Sequence, residues 1–193
     1  MIDRDPNHLH PWARRLMVEL AERAVQAEIP VVLQETYRDF ADQLANYRKG
    51  RDDHGNVVNA AAVVTNARPG QSWHNLTRWT LVDGLWERVP ASLAWHFYIR
   101  DDGDEGGLEG IGANTLSAED RRRYAQLGAL VRQAPALPIR WLGDSDGDGV
   151  PFEKGEWDLG HFQGIPGGTL AHVTAVLDIK GGDLVIDHGG FRT

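Results

Sequence analysis

Two segments of the chain carry side chains that could bind a metal ion and activate water. The first ends at His74 in the run Ser-Trp-His and is followed nine residues later by Asp83, after an apolar stretch. The second holds Asp158 and, three residues later, His161. A catalytic zinc site uses three imidazole or carboxylate ligands and keeps one position open for water. His74, Asp83 and His161 could supply those ligands. Asp158 could then serve as the general base that takes a proton from the attacking water.

The spacing alone does not separate such a site from an ordinary structural role. A single histidine is often a hydrogen-bonded structural or surface residue, and Asp158 could be a carboxylate that stabilises a turn. The remaining histidines match no motif and are predicted to be structural or surface residues: His8, His10, His54, His96, His172 and His188.

Three stretches resemble the peptidoglycan L-alanyl-D-glutamate peptidases. They are Gln-Glu-Thr-Tyr-Arg at 34–38, Asp-Gln at 42–43 with Tyr-Arg-Lys-Gly-Arg at 47–51, and Val-Thr-Asn-Ala-Arg-Pro-Gly-Gln-Ser-Trp-His-Asn at 64–75. These peptidases belong to the D-alanyl-D-alanine carboxypeptidase group with the Hedgehog/DD-peptidase fold, which includes phage endolysins and bacterial cell-wall hydrolases. The resemblance extends from about residue 30 to 163 and includes an insertion.

The resemblance implies a role for each candidate residue. The family motif runs Ser-x-His, a glycine and an Asp, and later an acidic residue, two others and His-Phe. It implies zinc ligands at His74, Asp83 and His161, with Asp158 as the catalytic base. In the family the Asp comes seven positions after the motif His, whereas Asp83 comes nine after His74, and Thr77 replaces the glycine. Two added residues preserve the side-chain parity of a strand, so we expect Asp83 still to face the metal.

Three further polar residues are candidates for contacts near the reacting groups. The resemblance implies that Arg38 approaches the substrate or the oxyanion, since its planar fork suits a carboxylate or a developing negative oxygen. A surface arginine near its own helix end is the equal alternative. Ser72 and Gln43 are predicted to contact the substrate or to support the metal ligands.

An acidic, glycine-rich stretch begins at Asp144 and matches the first half of a calcium loop. Asp144, Asp146 and Asp148 occupy positions 1, 3 and 5, and a glycine occupies position 6. Glu153, or alternatively Glu156, would supply the closing carboxylate. We expect bound Ca²⁺ to order the segment that leads to the catalytic base. The alternative is an acidic surface turn.

The composition sets limits on the partners of this chain. It has 193 residues, a net charge of -8 and no cysteine, so disulfides are excluded and a metal site must use histidines and carboxylates. The acidic balance argues against broad nucleic-acid binding. The sequence has neither an apolar run of membrane-spanning length nor an apolar leader at its N-terminus, so it predicts no membrane association and no secretory signal.

Hydrophobic periodicity predicts one α+β domain over 1–193, a small antiparallel sheet with helices packed on it. Helices are predicted over 11–28, from Thr36 to Gly50 and from Ser117, and strands over 29–33, 80–85 and 93–99. An exposed loop is predicted over 101–110 and an inserted acidic loop over 143–156. The tail after 164 could be a hairpin or a helix followed by a strand.

The function implied by the resemblance is zinc-dependent hydrolysis of peptidoglycan stem peptides, at the bond between L-alanine and D-glutamate, as in an endolysin. A D-alanyl-D-alanine carboxypeptidase is the alternative within the class. An inactive calcium-binding or cell-wall-binding module is the alternative from another class. We expect a monomer that is made in the cytoplasm and acts on the cell wall.

Overall fold

The structure is a computed structural model that describes residues 2–100, 117–134, 136–154, 156, 158–167, 169–182, 184–187 and 190–192. Its helices are α1 (Pro11–Gln26), α2 (Phe40–Arg48), α3 (Ala118–Arg132) and α4 (Leu170–Leu177). Its strands are β1 (Val31–Glu35), β2 (Thr77–Val82), β3 (Leu85–Pro90), β4 (Ala94–Ile99), β5 (Ile139–Trp141), β6 (His161–Gly164), β7 (Val185–Asp187) and β8 (Gly190–Arg192). The predicted α+β class is confirmed. The predicted loop at 101–110 lies outside the described residues.

The main sheet is antiparallel with the strand order β1-β4-β6-β5. Strand β4 therefore lies between β1 and β6 and pairs with both. A β-bulge in β1, between Leu33 and Glu35, places Glu35 opposite His96 of β4. His96 in turn lies opposite His161 of β6. These three polar side chains thus form a row across three neighbouring strands.

The hydrophobic core lies between this sheet and the helices α1 and α3. The aromatic rings of Trp95, Phe97 and Phe162 are almost completely buried there, together with Leu20 of α1 and Leu127 of α3. Burial of each such side chain stabilises the fold by about 1.5–3 kcal/mol. Since successive side chains of a strand point to opposite faces, the residue between Trp95 and Phe97 must leave the core. The packing of β4 therefore directs residue 96 to the face away from the core.

Helix α2 begins later than the sequence predicted. Thr36 is not its cap but a fully buried residue after β1, and its hydroxyl donates a hydrogen bond to the Asp5 carbonyl oxygen at 3.0 Å. Asp39 caps the helix by accepting a hydrogen bond from the backbone N–H of Asp42. Phe40 is 56% exposed, and the buried side chain of this helix is Gln43.

The predicted strand at 80–85 is wrong, because a hairpin turn divides it. Strands β2 and β3 pair with each other and are joined by Asp83 and Gly84. These residues have φ angles of 49° and 82°, and positive φ at both central positions is the requirement of a type I′ turn, for which Asp-Gly is a preferred sequence. The hairpin forms a two-stranded sheet of its own.

The tail after 164 adopts the second of its two predicted forms, since α4 is followed by β7, which pairs with β8. Helix α4 contacts β2 of the hairpin. Among the residues that the structure describes, no helix is both long enough and apolar enough to cross a membrane.

Candidate metal centre

Three imidazole rings converge on the face of the sheet opposite the core. One ring nitrogen from each of His74, His96 and His161 lies within 4.8 Å of the others. The rings of His74 and His96 are stacked at an interplanar angle of 9°, and the ring of His161 is nearly perpendicular to both. Three nitrogens bound tetrahedrally to zinc at about 2.0–2.1 Å would be roughly 3.4 Å apart. To reach zinc geometry the cluster would have to contract, and the nearly parallel rings of His74 and His96 would have to turn toward the ion.

His74 comes from a short 3-10 turn, Trp73–Asn75, that precedes the hairpin. The Ser72 hydroxyl caps this turn by accepting a hydrogen bond from the His74 N–H at 3.3 Å. The His74 Nδ1 lies 2.7 Å from the Thr36 carbonyl oxygen, so Nδ1 carries the proton and donates it. Its Nε2 is buried and has no hydrogen-bond partner among the described residues. A buried, unprotonated nitrogen without a partner is what a metal ligand presents before the metal binds.

His96 and His161 both lie close to the carboxylate of Asp158. The His96 Nε2 is 3.2 Å from Asp158 Oδ1, and the His161 Nδ1 is 3.5 Å from Asp158 Oδ2. The second nitrogen of each ring also has a neighbour. The His96 Nδ1 is 3.2 Å from Glu35 Oε2, an ion-pair distance without the alignment of a regular hydrogen bond, and the His161 Nε2 is 3.3 Å from Gln163 Oε1.

The electrostatics of the cluster suit a divalent cation. Burial lowers the pKa of His74 well below its usual value and also lowers the pKa of His161. Although burial opposes ionisation of Asp158, His96 and His161 hold the pKa of that carboxyl well below its usual range. Burial lowers the pKa of His96 too, but Asp158 and Glu35 outweigh it and raise that pKa to about 9. His74 and His161 are therefore neutral, as metal ligation requires, whereas His96 carries a second proton at neutral pH that a bound metal would have to displace.

Asp83 is not part of this cluster. It lies in the exposed turn of the β2–β3 hairpin, and the third residue beside His74 and His161 is His96. The hairpin explains the difference. Without residues 77–91, which hold both its strands, His96 would follow His74 by seven positions, the spacing that the resembled family has for its aspartate. The structure therefore places Asp83 apart from the histidine cluster, with His96 beside His74 and His161, and the metal-ligand set remains a prediction.

Sequence reasoning missed His96 although a signal was present. Val-Asp-Gly-Leu between two β-prone runs is a strong local hairpin signal, and it would have assigned Asp83 to a turn. The strand predicted over 93–99 would then have been the next segment in which to search for a ligand, and its one histidine is His96.

Arg38 and Gln43 are connected to the histidine cluster through Glu35, which lies beside His96. Arg38 donates from Nε to Glu35 Oε1 at 2.9 Å, from Nη2 to Glu35 Oε2, and from Nη1 to Gln43 Oε1 at 3.0 Å. Gln43 in turn donates to the Ala67 carbonyl oxygen at 2.6 Å. All three guanidinium nitrogens of Arg38 are thus engaged within the protein. In this structure Arg38 holds Glu35, and Ser72 caps the turn that carries His74.

The acidic loop forms two further groups of carboxylates. Asp144, Asp146 and Glu156 come together in one, and Asp146, Asp148 and Glu153 in the other. The loop is also held by the protein itself, since Arg132 donates to Asp144 at 2.8 Å. Repulsion from Asp148 is the largest cause that raises the pKa of Glu153. Hard oxygen ligands crowded at alternate positions are compatible with Ca²⁺, and calcium binding remains a prediction.

Three imidazoles, those of His74 and His161 buried and that of His96 half-buried, lie beside the Asp158 carboxylate on one face of a small antiparallel sheet and define the class of site as a candidate metal centre. Comparison with known proteins points to a particular relative. Over 102 residues the chain is 31% identical to the peptidoglycan L-alanyl-D-glutamate endopeptidase CwlK of Bacillus subtilis (strain 168). The match covers 53% of this chain and 55% of that protein, so the chain spans about half the length of this curated relative.

No family model matches the chain. The similarity to CwlK nevertheless agrees with the relationship that the motifs at 34–38 and 64–75 predicted. The chain is thus similar, over about half its length, to one peptidoglycan L-alanyl-D-glutamate endopeptidase.

Proposed function

We propose that this protein is a zinc-dependent peptidase that hydrolyses peptidoglycan stem peptides, at the bond between L-alanine and D-glutamate. The observation that carries the proposal is the convergence of His74, His96 and His161 next to Asp158. The similarity to an endopeptidase of that specificity supplies the substrate class. The action on the cell wall belongs to the same proposal.

The donor set favours zinc among the common metals. Imidazole nitrogens suit zinc, whereas calcium and magnesium prefer oxygen ligands. Three protein ligands leave the fourth tetrahedral position for water or substrate, which is the pattern of catalytic zinc. When bound, the ion would lower the pKa of water and polarise a carbonyl group.

The protein's own residues divide the remaining work. Asp158 is ionised and 27% exposed at its side chain, so it can accept a proton from water at one of its carboxylate oxygens. The same carboxyl group would afterwards donate that proton to the leaving amine. The Thr36 carbonyl oxygen keeps the proton of His74 on Nδ1 and directs Nε2 toward the centre.

Digestion of purified muropeptides tests the proposed reaction. The expected product pattern, read by mass spectrometry, is a stem peptide split after its first residue. Release of free D-alanine would instead identify a D-alanyl-D-alanine carboxypeptidase. Intact muropeptides after incubation with a protein that contains stoichiometric zinc would contradict the peptidase assignment and favour an inactive wall-binding or calcium-binding module.

A further inference from the structure

Glu35 is a half-buried acid that the proposed reaction does not use. Its side chain is 13% exposed, and an unpaired carboxylate in such a position is costly. Its carboxylate pairs with the Arg38 guanidinium and lies 3.2 Å from the His96 Nδ1.

The backbone places this charge opposite His96 by means of an irregularity. In the regular part of the β1–β4 ladder, Leu33 pairs with Phe97, so an uninterrupted register would set Gln34 opposite His96 and Glu35 opposite the buried Trp95. The bulge between Leu33 and Glu35 shifts the pairing by one residue, and Glu35 faces His96 instead. Bulges re-aim side chains in this way and are common next to active sites.

The contacts of Glu35 form a chain that ends at the centre. Arg38 donates hydrogen bonds from Nε and Nη2 to the two carboxylate oxygens of Glu35. Such a two-point contact fixes the position of a carboxylate and also neutralises its charge. One of those oxygens, Oε2, also lies 3.2 Å from the His96 Nδ1. The other nitrogen of the same ring, Nε2, lies 3.2 Å from Asp158 Oδ1.

We propose that Glu35 is a positioning residue that orients His96 as a metal ligand, with Arg38 holding Glu35 in place. This inference rests on the proposed metal centre. A carboxylate that accepts the second N–H of a ligating imidazole fixes its tautomer and raises its basicity as a ligand.

The test compares Glu35→Gln with the wild-type protein in metal affinity and in the absorption spectrum of the cobalt-substituted form. Glutamine keeps the size of the side chain but removes the charge. Removal of such a supporting group lowers metal affinity by about 10- to 100-fold, and we expect a loss in that range together with a shifted cobalt spectrum. Glu19→Gln is the matched control, because it also breaks a Glu–Arg pair, with Arg23 on α1, and should change neither quantity.

The outcomes separate this inference from its premise. If the wild-type protein binds no cobalt or zinc, the metal centre itself is wrong and Glu35 has no ligand to position. If the wild-type protein binds metal and Glu35→Gln binds it equally well with an unchanged spectrum, the role of Glu35 alone is overturned. Should Glu35→Gln fail to fold, Arg38→Gln tests the same link. That variant keeps Glu35 but removes the guanidinium that holds its carboxylate, so an unchanged cobalt spectrum would likewise overturn the inference.

Discussion

His96 on β4 lies directly opposite His161 on β6, and their ring centroids are 4.8 Å apart. This pairing across two strands, with His74 supplied from a separate turn, defines the candidate metal centre. It leads to predictions that distinguish the functional residues from neighbours that merely share their chemistry.

The first prediction concerns the identity of the third ligand. Since loss of a supporting group alone costs about 10- to 100-fold in metal affinity, His96→Ala should lower zinc affinity by more than about 100-fold. Asp83→Ala should leave zinc affinity unchanged, because Asp83 lies in an exposed hairpin turn. Zinc content after dialysis against a graded chelator series measures both. The reverse result, with zinc lost from Asp83→Ala and retained by His96→Ala, would restore the ligand set first predicted from the sequence.

The second prediction concerns Asp158. Asp158→Asn keeps the shape of the side chain but removes its capacity to accept a proton from water, so the rate of muropeptide hydrolysis should fall by about 100- to 10,000-fold. The zinc content should stay near that of the wild-type protein, because the three imidazoles remain. A variant that loses zinc in proportion to its activity would show that Asp158 acts mainly as a metal ligand.

The third prediction concerns packing beneath the sheet. Replacing a glycine by alanine inside a helix normally stabilises it by about 0.5–1 kcal/mol. At Gly128 of α3, however, an added Cβ would lie 2.1 Å from a ring atom of the Trp141 side chain. Overpacking of this kind costs about 1–3 kcal/mol, so Gly128→Ala should lower the free energy of unfolding. Urea denaturation gives the sign, and a stabilised variant would mean that the Trp141 ring has room to move.

The fourth prediction uses the acidic loop and its pH dependence. Neighbouring carboxylates, Asp148 above all, raise the pKa of Glu153 in the folded protein. The folded state therefore holds this proton more tightly than the unfolded state, and stability is lost as the pH rises through the folded pKa. In calcium-free buffer, Glu153→Gln should raise the Tm at neutral pH and have little effect below the unfolded pKa of about 4.5.

Added calcium provides the control for this loop. If the loop binds Ca²⁺, the ion should raise the Tm of the wild-type protein and reduce or reverse the advantage of Glu153→Gln, since a ligand that binds only the folded state stabilises it. Identical melting curves with chelator and with millimolar calcium would assign Asp144, Asp146 and Asp148 to an acidic surface turn.

Local patterns in the sequence were sufficient for much of the fold. The helix predicted over 11–28 is α1, and the helix predicted from Ser117 is α3, which begins with a capping box of Ser117 and Asp120. The strand predicted over 93–99 is β4. The motif residues His74 and His161 do lie together, as the resemblance implied. These features depend on neighbours along the chain, so short-range patterns carry them.

The tertiary structure alone decided which residue completes the cluster. The sequence places Asp83 near His74, but the turn conformation of Asp83 and Gly84 removes Asp83 from the centre. His96 comes to the centre through strand pairing with β6, and Glu35 comes to His96 through a one-residue bulge in β1. Strand register depends on packing across the whole sheet, and a shift of one residue turns every following side chain to the other face. The local Asp-Gly signal can assign Asp83 to a turn, but no pattern of neighbouring residues encodes the strand register. For this reason the sequence indicated a class of chemistry, while the fold decided which side chains lie together.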